Sequence, residues 1–472
     1  MNMHEYDLLV VGGGPGGYTS AIRGAQKSMR TLLVERDVLG GTCLNRGCLP
    51  TKTLLEDTLT IFGVRESRFL RGDMKINFKR IIERKKMVVE GAVAGIDEVI
   101  RANGAEIMKG EARFAGPKNI EIESREGERR EISAKNIIIA TGAEVDYGDL
   151  AVDEENVLST DGAINLKSVP PTVAVVGAGN RGVEFTSIYH NLGARVILIE
   201  KEKRILPKEH RWLSGRYKKI LAERKIEVLT RSKVVSAKAE GENGVLLTLE
   251  SDRGPNEIKV KKAILALSRR PSFRALNLEA AGLSLSQGML PYGPGMQSEV
   301  DGIYVVGDAT GAPYLAHKAI AQGIAAVDHI LGLDPDGRPR FVPNCIYGDP
   351  EIGSVGLTDY GARKAGFKVK TGEFYLVGNG RSGTMGKEEG LILIVSDGET
   401  DAVLGVHILA PRASELVSLG VLAMKNGLTV ENLKKTVLPH LTFSESFFEA
   451  ALATDGEAIH LLLDSERHDT ED

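Results

Sequence analysis

The chain has 472 residues, 42% hydrophobic and 26% charged, with a formal net charge of -4. That length exceeds one ordinary core and predicts two to four globular domains. Scattered basic residues leave no footprint for nucleic acid, and the longest apolar runs are strand-sized, far short of a membrane span. Three cysteines exclude a secreted disulfide framework. The N-terminus, MNMHEYDLLVVGGG, runs into a strand without a basic leader, so a cytoplasmic protein is expected.

In chain order, Asp7–Val11 reads as a strand, GGGPGG as a turn, Tyr18 to about Ser28 as a helix, and TLLVE as a second strand. Gly12, Gly14 and Gly17 fit GxGxxG, and Glu35 follows the first glycine by 23 residues. Then comes GGTCLNRGCLPTK, residues 40–52, with two of the three cysteines, Cys43 and Cys48. A charged helical stretch, roughly 78–103, precedes β-like segments (EIMKGEARFAG, NIEIES, REISAKNIIIATG). The first unit then recurs: TVAVVGAGNRGVEF supplies Gly177, Gly179 and Gly182, and ARVILIE ends at Glu200, again 23 residues on. Further strand patterns follow (KIEVLT, GVLLTLES, KKAILAL), then IYVVGDATG with Asp308 at a strand end. From about Pro343, strand patterns (EFYLVGNG, LILIVSD, AVLGVHIL) mix with helical ones over 412–426 and 445–463, reading as a separate α+β domain. The polar tail DSERHDTED is expected to fray.

One glycine fingerprint is weak evidence, but two with matching spacing between strand and helix point to two dinucleotide sites. Glycines let the backbone approach a pyrophosphate at a helix N-terminus, and the acid holds ribose hydroxyls. Two such sites imply two cofactors whose reactive rings meet, the layout of a flavin enzyme working with a nicotinamide. On a regular helix the Cα atoms of Cys43 and Cys48 would lie about 8.7 Å apart, beyond the roughly 7 Å a disulfide allows. They can bridge only if the intervening turn leaves helical geometry, for which Asn45 and Gly47 are suited. A bridge of that kind is labile and exchanges. Inert thiols and a metal site stay open, although no further cysteine or histidine lies at ligand spacing nearby. Cys345 is expected to be a buried packing thiol.

The ordered motifs resemble those of the FAD-dependent pyridine nucleotide–disulfide oxidoreductases, from about Tyr6 to His460. GGTCLNRGCLPTK resembles the family's redox-disulfide motif; IIIATG and IYVVGDATGAPYLAHKA resemble its flavin-side motifs. NCIYGDPEIGSVGLT and AVLGVHILAPRASELV resemble its C-terminal interface domain. The LAHKA run is similar to the branch that oxidises dihydrolipoyl groups. The resemblance implies an α/β fold of two Rossmann-like domains, for FAD and NAD, plus a C-terminal α+β dimerisation domain. The expected boundaries are 1–145 (FAD, with the redox disulfide), 146–272 (NAD), 273–342 (completing the FAD site) and 343–472 (interface).

Residue by residue, it implies that Cys43 meets the dithiol substrate and that Cys48 is the thiolate beside the flavin. Lys52 lies near the flavin and pairs with Glu184. Glu35 binds the adenosine ribose of FAD, Asp308 its ribityl and phosphate side, and Thr42, Thr141, Gly142, Ala316 and His317 border it. In PHLTFSE, His440 is the general base oriented by Glu445, and reaches the cysteines from the other subunit of a homodimer. The implied partner is a lipoylated carrier of a 2-oxoacid dehydrogenase complex, of glycine cleavage, or a dedicated lipoate-binding protein. No metal, nucleic acid or membrane partner is expected.

Three stretches depart from the pattern. Leu441 follows His440 where the family usually has proline, and Leu438 stands where a second histidine is usual. Asn180 and Arg181 replace an aromatic or aliphatic pair where nicotinamide would stack on flavin. Ser268 replaces glycine in SRRP. Glu200 accepts a ribose 2′-OH and repels a 2′-phosphate, favouring NAD over NADP. The alternatives are another flavin-dependent disulfide reductase, such as a glutathione-reductase-like enzyme, and a specialised or catalytically impaired relative serving a dedicated lipoyl carrier.

Overall fold

The computed structural model describes residues 5–461 except 71, 74, 253, 335 and 336. The polar tail, 464–472, and the last two positions of the expected terminal helix, 462 and 463, lie outside the described residues. The chain forms two compact units, Met1–Glu202 with Ile226–Pro339, and Lys203–Lys225 with Arg340–Asp472.

The first unit holds a seven-stranded sheet, whose five parallel strands are joined by antiparallel Asn119–Glu123 and Glu111–Gly116, and a five-stranded parallel sheet. In the former, the parallel strands run in the order Glu106–Lys109, Thr31–Glu35, Tyr6–Val11, Arg129–Ile139 and Ile303–Val305. Leu9 lies opposite Leu32 on one side and Ile137 on the other. The strand is apolar on both faces because both are covered. Leu9 and Val11 enter one core cluster, and Leu8 and Val10 the other. Each such leucine contributes about 1.5–3 kcal/mol by leaving water. In the second sheet the order is Glu227–Leu229, Arg195–Ile199, Thr172–Val176, Lys262–Leu265 and Val157–Ser159. In both sheets the glycine-turn strand is central, which sets each turn at a switch point where strand order reverses.

The helix after the first turn spans Pro15–Gln26, three residues earlier than the expected Tyr18, because proline fits the first helical turn. The charged helix, Phe78–Ala102, falls where its pattern predicts.

The second unit is a five-stranded antiparallel sheet in the order Asn344–Ile346, Glu351–Gly356, Val403–Ala410, Leu391–Asp397 and Val369–Tyr375. Strand Leu391–Asp397 is buried throughout. Ile392 and Ile394 pack with Val417 and Phe447, while Leu391, Leu393 and Val395 pack with Trp212. Trp212 belongs to helix Arg211–Glu223, so this helix lies inside the span expected for the NAD domain yet packs with the C-terminal sheet. The pattern EFYLVGNG is strand only to Tyr375, then a 3-10 turn over Leu376–Gly378. The terminal helix is Glu445–Ala453, shorter than the 445–463 pattern, because Thr454–Gly456 closes a turn with Gly456 at φ +76°. Cys345 is half-buried against the core of this unit. No helix among the described residues is long and apolar enough to cross a membrane.

Candidate active site

The two glycine turns share their backbone conformation and their closest approach. Gly12 and Gly177 take φ +105° and +96°. A Cβ on Gly17 would meet the Gly12 carbonyl oxygen at 1.7 Å, and one on Gly182 the Gly177 carbonyl at 1.7 Å. Each third glycine therefore lets its helix lie against the preceding strand. Glu35 accepts from the Gly13 and Asp37 N–H groups at 2.6 and 2.7 Å. Glu200 accepts from Ala178 and Glu202 at 2.7 and 3.0 Å. Both acids thus brace their own turns while standing at the strand ends where a ribose would be read.

The cysteine stretch is broken where its spacing requires. A short helix, Gly41–Asn45, ends at Arg46 (φ -136°) and Gly47 (φ -129°, ψ -107°), and an 18-residue helix begins at Cys48 and runs to Arg65. The Asn45 side-chain amide donates to Leu39 O and Gly41 O at 2.8 and 3.0 Å, fixing the break. Gly41, at φ +54°, brings the stretch against the first glycine turn; a Cβ there would lie 2.7 Å from Gly14 Cα.

Cys43 and Cys48 are free thiols here. Their side chains share a hydrogen bond, and it moves the two groups in opposite directions. Cys48 is lowered to about 7, first by that bond and then by the Lys52 charge, against burial and Glu184. Cys43 is raised by the same bond, by burial and by the charge on Cys48. The first turn of a helix further favours a thiolate at Cys48. Lys52, four residues along that helix, donates to both carboxylate oxygens of Glu184 at 2.8 Å. Glu184 is 2% exposed, on helix Asn180–Asn191 after the second glycine turn. The helices after both motifs are therefore tied together beside the thiols.

Asp308 lies in the turn after strand Ile303–Val305. Burial raises its carboxyl, although the Arg269 guanidinium stands 3.4 Å away and Lys318 is near. Lys318 is buried and donates to Gly311 O at 2.6 Å; Gln322 accepts from Gly307 N–H at 2.9 Å. These groups shape the Asp308 turn; Arg269, within SRRP, and Lys318, within LAHKA, lie in motifs legible in the sequence, and Gln322 does not. Ala316 opens helix Ala316–Ile330, and His317 beside it is exposed. Thr42 sits in the short cysteine helix, where its carbonyl would meet a Cβ on Gly47 at 3.0 Å, and Gly142 takes φ +77°.

Arg181 donates to the Leu267 carbonyl, and its Nη1 is buried without a partner. Burial and then Arg269 lower its guanidinium to about 10. Thr141 Oγ1 and Arg269 Nε are likewise buried and unpartnered. A Cβ on Gly179 would meet nothing within 4 Å, and one on Gly14 nothing closer than 3.9 Å. Open glycine turns with orphaned polar atoms beside them suit two dinucleotides, because such groups carry a cost until something accepts or donates.

In the second unit, His440 Nδ1 stands 2.8 Å from Glu445 Oε1, and the His440 side chain is 77% exposed. Glu445 Oε2 accepts from Thr442 N–H at 2.8 Å. Burial acts to raise Glu445, but the Thr442 N–H and the hydrogen bond and charge of His440 outweigh it and hold the carboxyl below its usual range. The His440–Leu441 peptide is cis.

Residues 6–323 match the pyridine nucleotide-disulphide oxidoreductase model, and residues 342–451 match that family's dimerisation domain. The chain belongs to the pyridine nucleotide-disulphide oxidoreductase family. It is 37% identical over 471 residues to a dihydrolipoyl dehydrogenase of Thermus scotoductus, covering 98% of this chain and 100% of the relative. It is 34% identical to the Bacillus subtilis dihydrolipoyl dehydrogenase, covering 97% and 99%. The crystal structure of LpdA from Mycobacterium tuberculosis superposes with a TM-score of 0.88 at 28% identity, covering 94% of this chain and 98% of that one. The family uses FAD and NAD, and the two open glycine turns fit that pair of cofactors.

Proposed function

We propose that the chain oxidises protein-bound dihydrolipoyl groups to lipoyl disulfide and reduces NAD+ to NADH, acting as a cytoplasmic homodimer. The observation that carries this reading is the cysteine pair, with Cys48 at a helix start, lowered to about 7 and standing near Lys52, which pairs with Glu184. In the oxidised enzyme the two sulfurs form the Cys43–Cys48 disulfide. His440, its Nδ1 held by Glu445, takes the proton of one substrate thiol at Nε2. The thiolate attacks Cys43 Sγ; the Cys43–Cys48 bond breaks and Cys48 leaves as a thiolate. The second substrate thiol attacks the mixed disulfide, lipoyl disulfide closes, and Cys43 leaves and takes up a proton. FAD, when bound, would supply the two-electron redox chemistry that links the reduced Cys43–Cys48 pair to NAD+.

Residues 1–145 and 273–342 are assigned to FAD, with Gly12, Gly14, Gly17, Glu35, Thr42, Lys52, Thr141, Gly142, Asp308, Ala316 and His317 around it. Residues 146–272 are assigned to NAD, through Gly177, Gly179, Gly182 and Glu200. Residues 343–472 carry the interface, across which His440 and Glu445 serve the partner's cysteines. The carrier is a lipoylated domain of a 2-oxoacid dehydrogenase complex, of glycine cleavage or of a dedicated lipoate-binding protein; the names of the curated relatives support the dihydrolipoyl substrate. Steady-state rates test the reading: NAD+-dependent oxidation of dihydrolipoamide is expected to exceed NADPH-dependent reduction of glutathione disulfide by at least about tenfold. The reverse order would assign a glutathione-reductase-like activity.

A further inference from the structure

Helix Glu445–Ala453 carries a second histidine–carboxylate pair. Glu449, 4% exposed, accepts from His460 Nδ1 at 2.8 Å and from the backbone N–H groups of Ile459 and His460 at 2.9 and 3.2 Å. Three donors on one buried carboxylate fix the His460 ring, while its side chain remains 69% exposed. Glu449 lies four residues after Glu445, so the two carboxylates stand on one helix face, about 5–6 Å apart at Cβ. Each holds an imidazole by Nδ1 on successive turns.

We propose that His460 is a positioning residue for dithiol oxidation, acting through Glu445 on the basicity of His440. The inference rests on the assignment of His440 as the base. When His460 is protonated, its charge acts on Glu445 from the next turn of the helix face and competes with His440 for that carboxylate. A proton on His440 is then less stable, and the base stays neutral, and so competent, to lower pH. The field of His460 at Glu445 is already one of the influences that lower that carboxyl, after those of Thr442 and His440.

Of the other charges on the elements packed against this helix, Lys434, Lys370 and Lys435 are paired with carboxylates, whereas Glu373 and Asp397 meet neutral hydroxyls. Lys434 holds Asp455 and Glu457, and Lys370 holds Asp455. Glu373 accepts from the Tyr375 hydroxyl, Glu431 pairs with Lys435, and Asp397 accepts from Thr400. His460 is the second imidazole held by a carboxylate on the same helix face as the His440–Glu445 pair.

The test is His460→Asn in the full-length holoenzyme, because the Asn amide can replace the Nδ1–H donor to Glu449 without titrating. The acid limb of kcat/KM for dihydrolipoamide is expected to move to higher pH by a few tenths of a unit, with a fall of about twofold at the lowest pH. NADH-dependent dye reduction, which needs no dithiol, controls for damage to the flavin unit. An unmoved acid limb, or an equal loss in dye reduction, overturns the proposal. His440→Gln runs alongside. A large loss of dithiol turnover there, with an unmoved limb in His460→Asn, removes the His460 role alone. Retained turnover in His440→Gln removes the base assignment and the His460 role with it.

Discussion

After the Cys43 hydrogen bond, Lys52 is what helps Cys48 ionise, because its ammonium charge acts on the sulfur and is itself held by Glu184. In reduced enzyme, alkylation of Cys48 should rise with pH around about 7. In Lys52→Met the midpoint should move up toward the roughly 8.5 of an unperturbed thiol. The sign follows from charge: a cation stabilises thiolate, so its loss leaves more thiol at a given pH. An unmoved midpoint would mean the Cys43 bond alone sets the thiolate. Arg181 is the second residue to probe. Its buried, partnerless Nη1 occupies ground where an aliphatic residue would leave no polar debt, so Arg181→Ile should raise NADH-linked dye reduction several-fold. A rate equal to wild type would show that the guanidinium stays clear of the nicotinamide path. At this scale the cysteines, Lys52, Glu184 and His440 were legible because they sit in contiguous motifs. Gln322 and the Glu449–His460 pair were not, because their meaning lies in contacts made across turns and helix faces that no spacing rule announces.

Among elements, the glycine turns are the most constrained. Gly17→Ala would drive a methyl into the Gly12 carbonyl, so the helix must lift from its strand. Overpacking of this kind costs about 1–3 kcal/mol, and it should lower Tm by several degrees and weaken FAD retention. Wild-type Tm and full flavin content would show that the turn relaxes freely. Both fingerprints were legible down to their 23-residue spacing because strand, turn and helix follow in sequence. Helix Arg211–Glu223 escaped notice, although Leu213, Tyr217, Ile220 and Leu221 lie at helical spacing and are buried. Its pattern shows an amphipathic helix but says nothing of which sheet covers it. Past Ala453 the 445–463 pattern failed for the opposite reason: apolar residues persist, but Gly456 breaks the backbone.

At the scale of the molecule, the chemistry is divided between the two units. The thiols and both glycine turns belong to one, and the histidine–carboxylate pairs to the other. The two nucleotide folds and the antiparallel C-terminal sheet were legible from repeated motifs and from the change in pattern after Pro343. The grouping of residues 203–225 with the C-terminal sheet was not, since it arises from Trp212 packing on Leu391, Leu393 and Val395, nearly two hundred residues downstream. On the proposed assignment of His440, dithiol oxidation draws on residues of both units, whereas electron flow from NADH to a dye draws on the first. The most direct measurement is therefore NADH formation from dihydrolipoamide and NAD+, comparing wild type with Cys48→Ser at equal flavin content. Turnover in the wild type and its loss by at least a hundredfold in the variant, with FAD still bound, is the predicted result. Undiminished turnover in Cys48→Ser would contradict it.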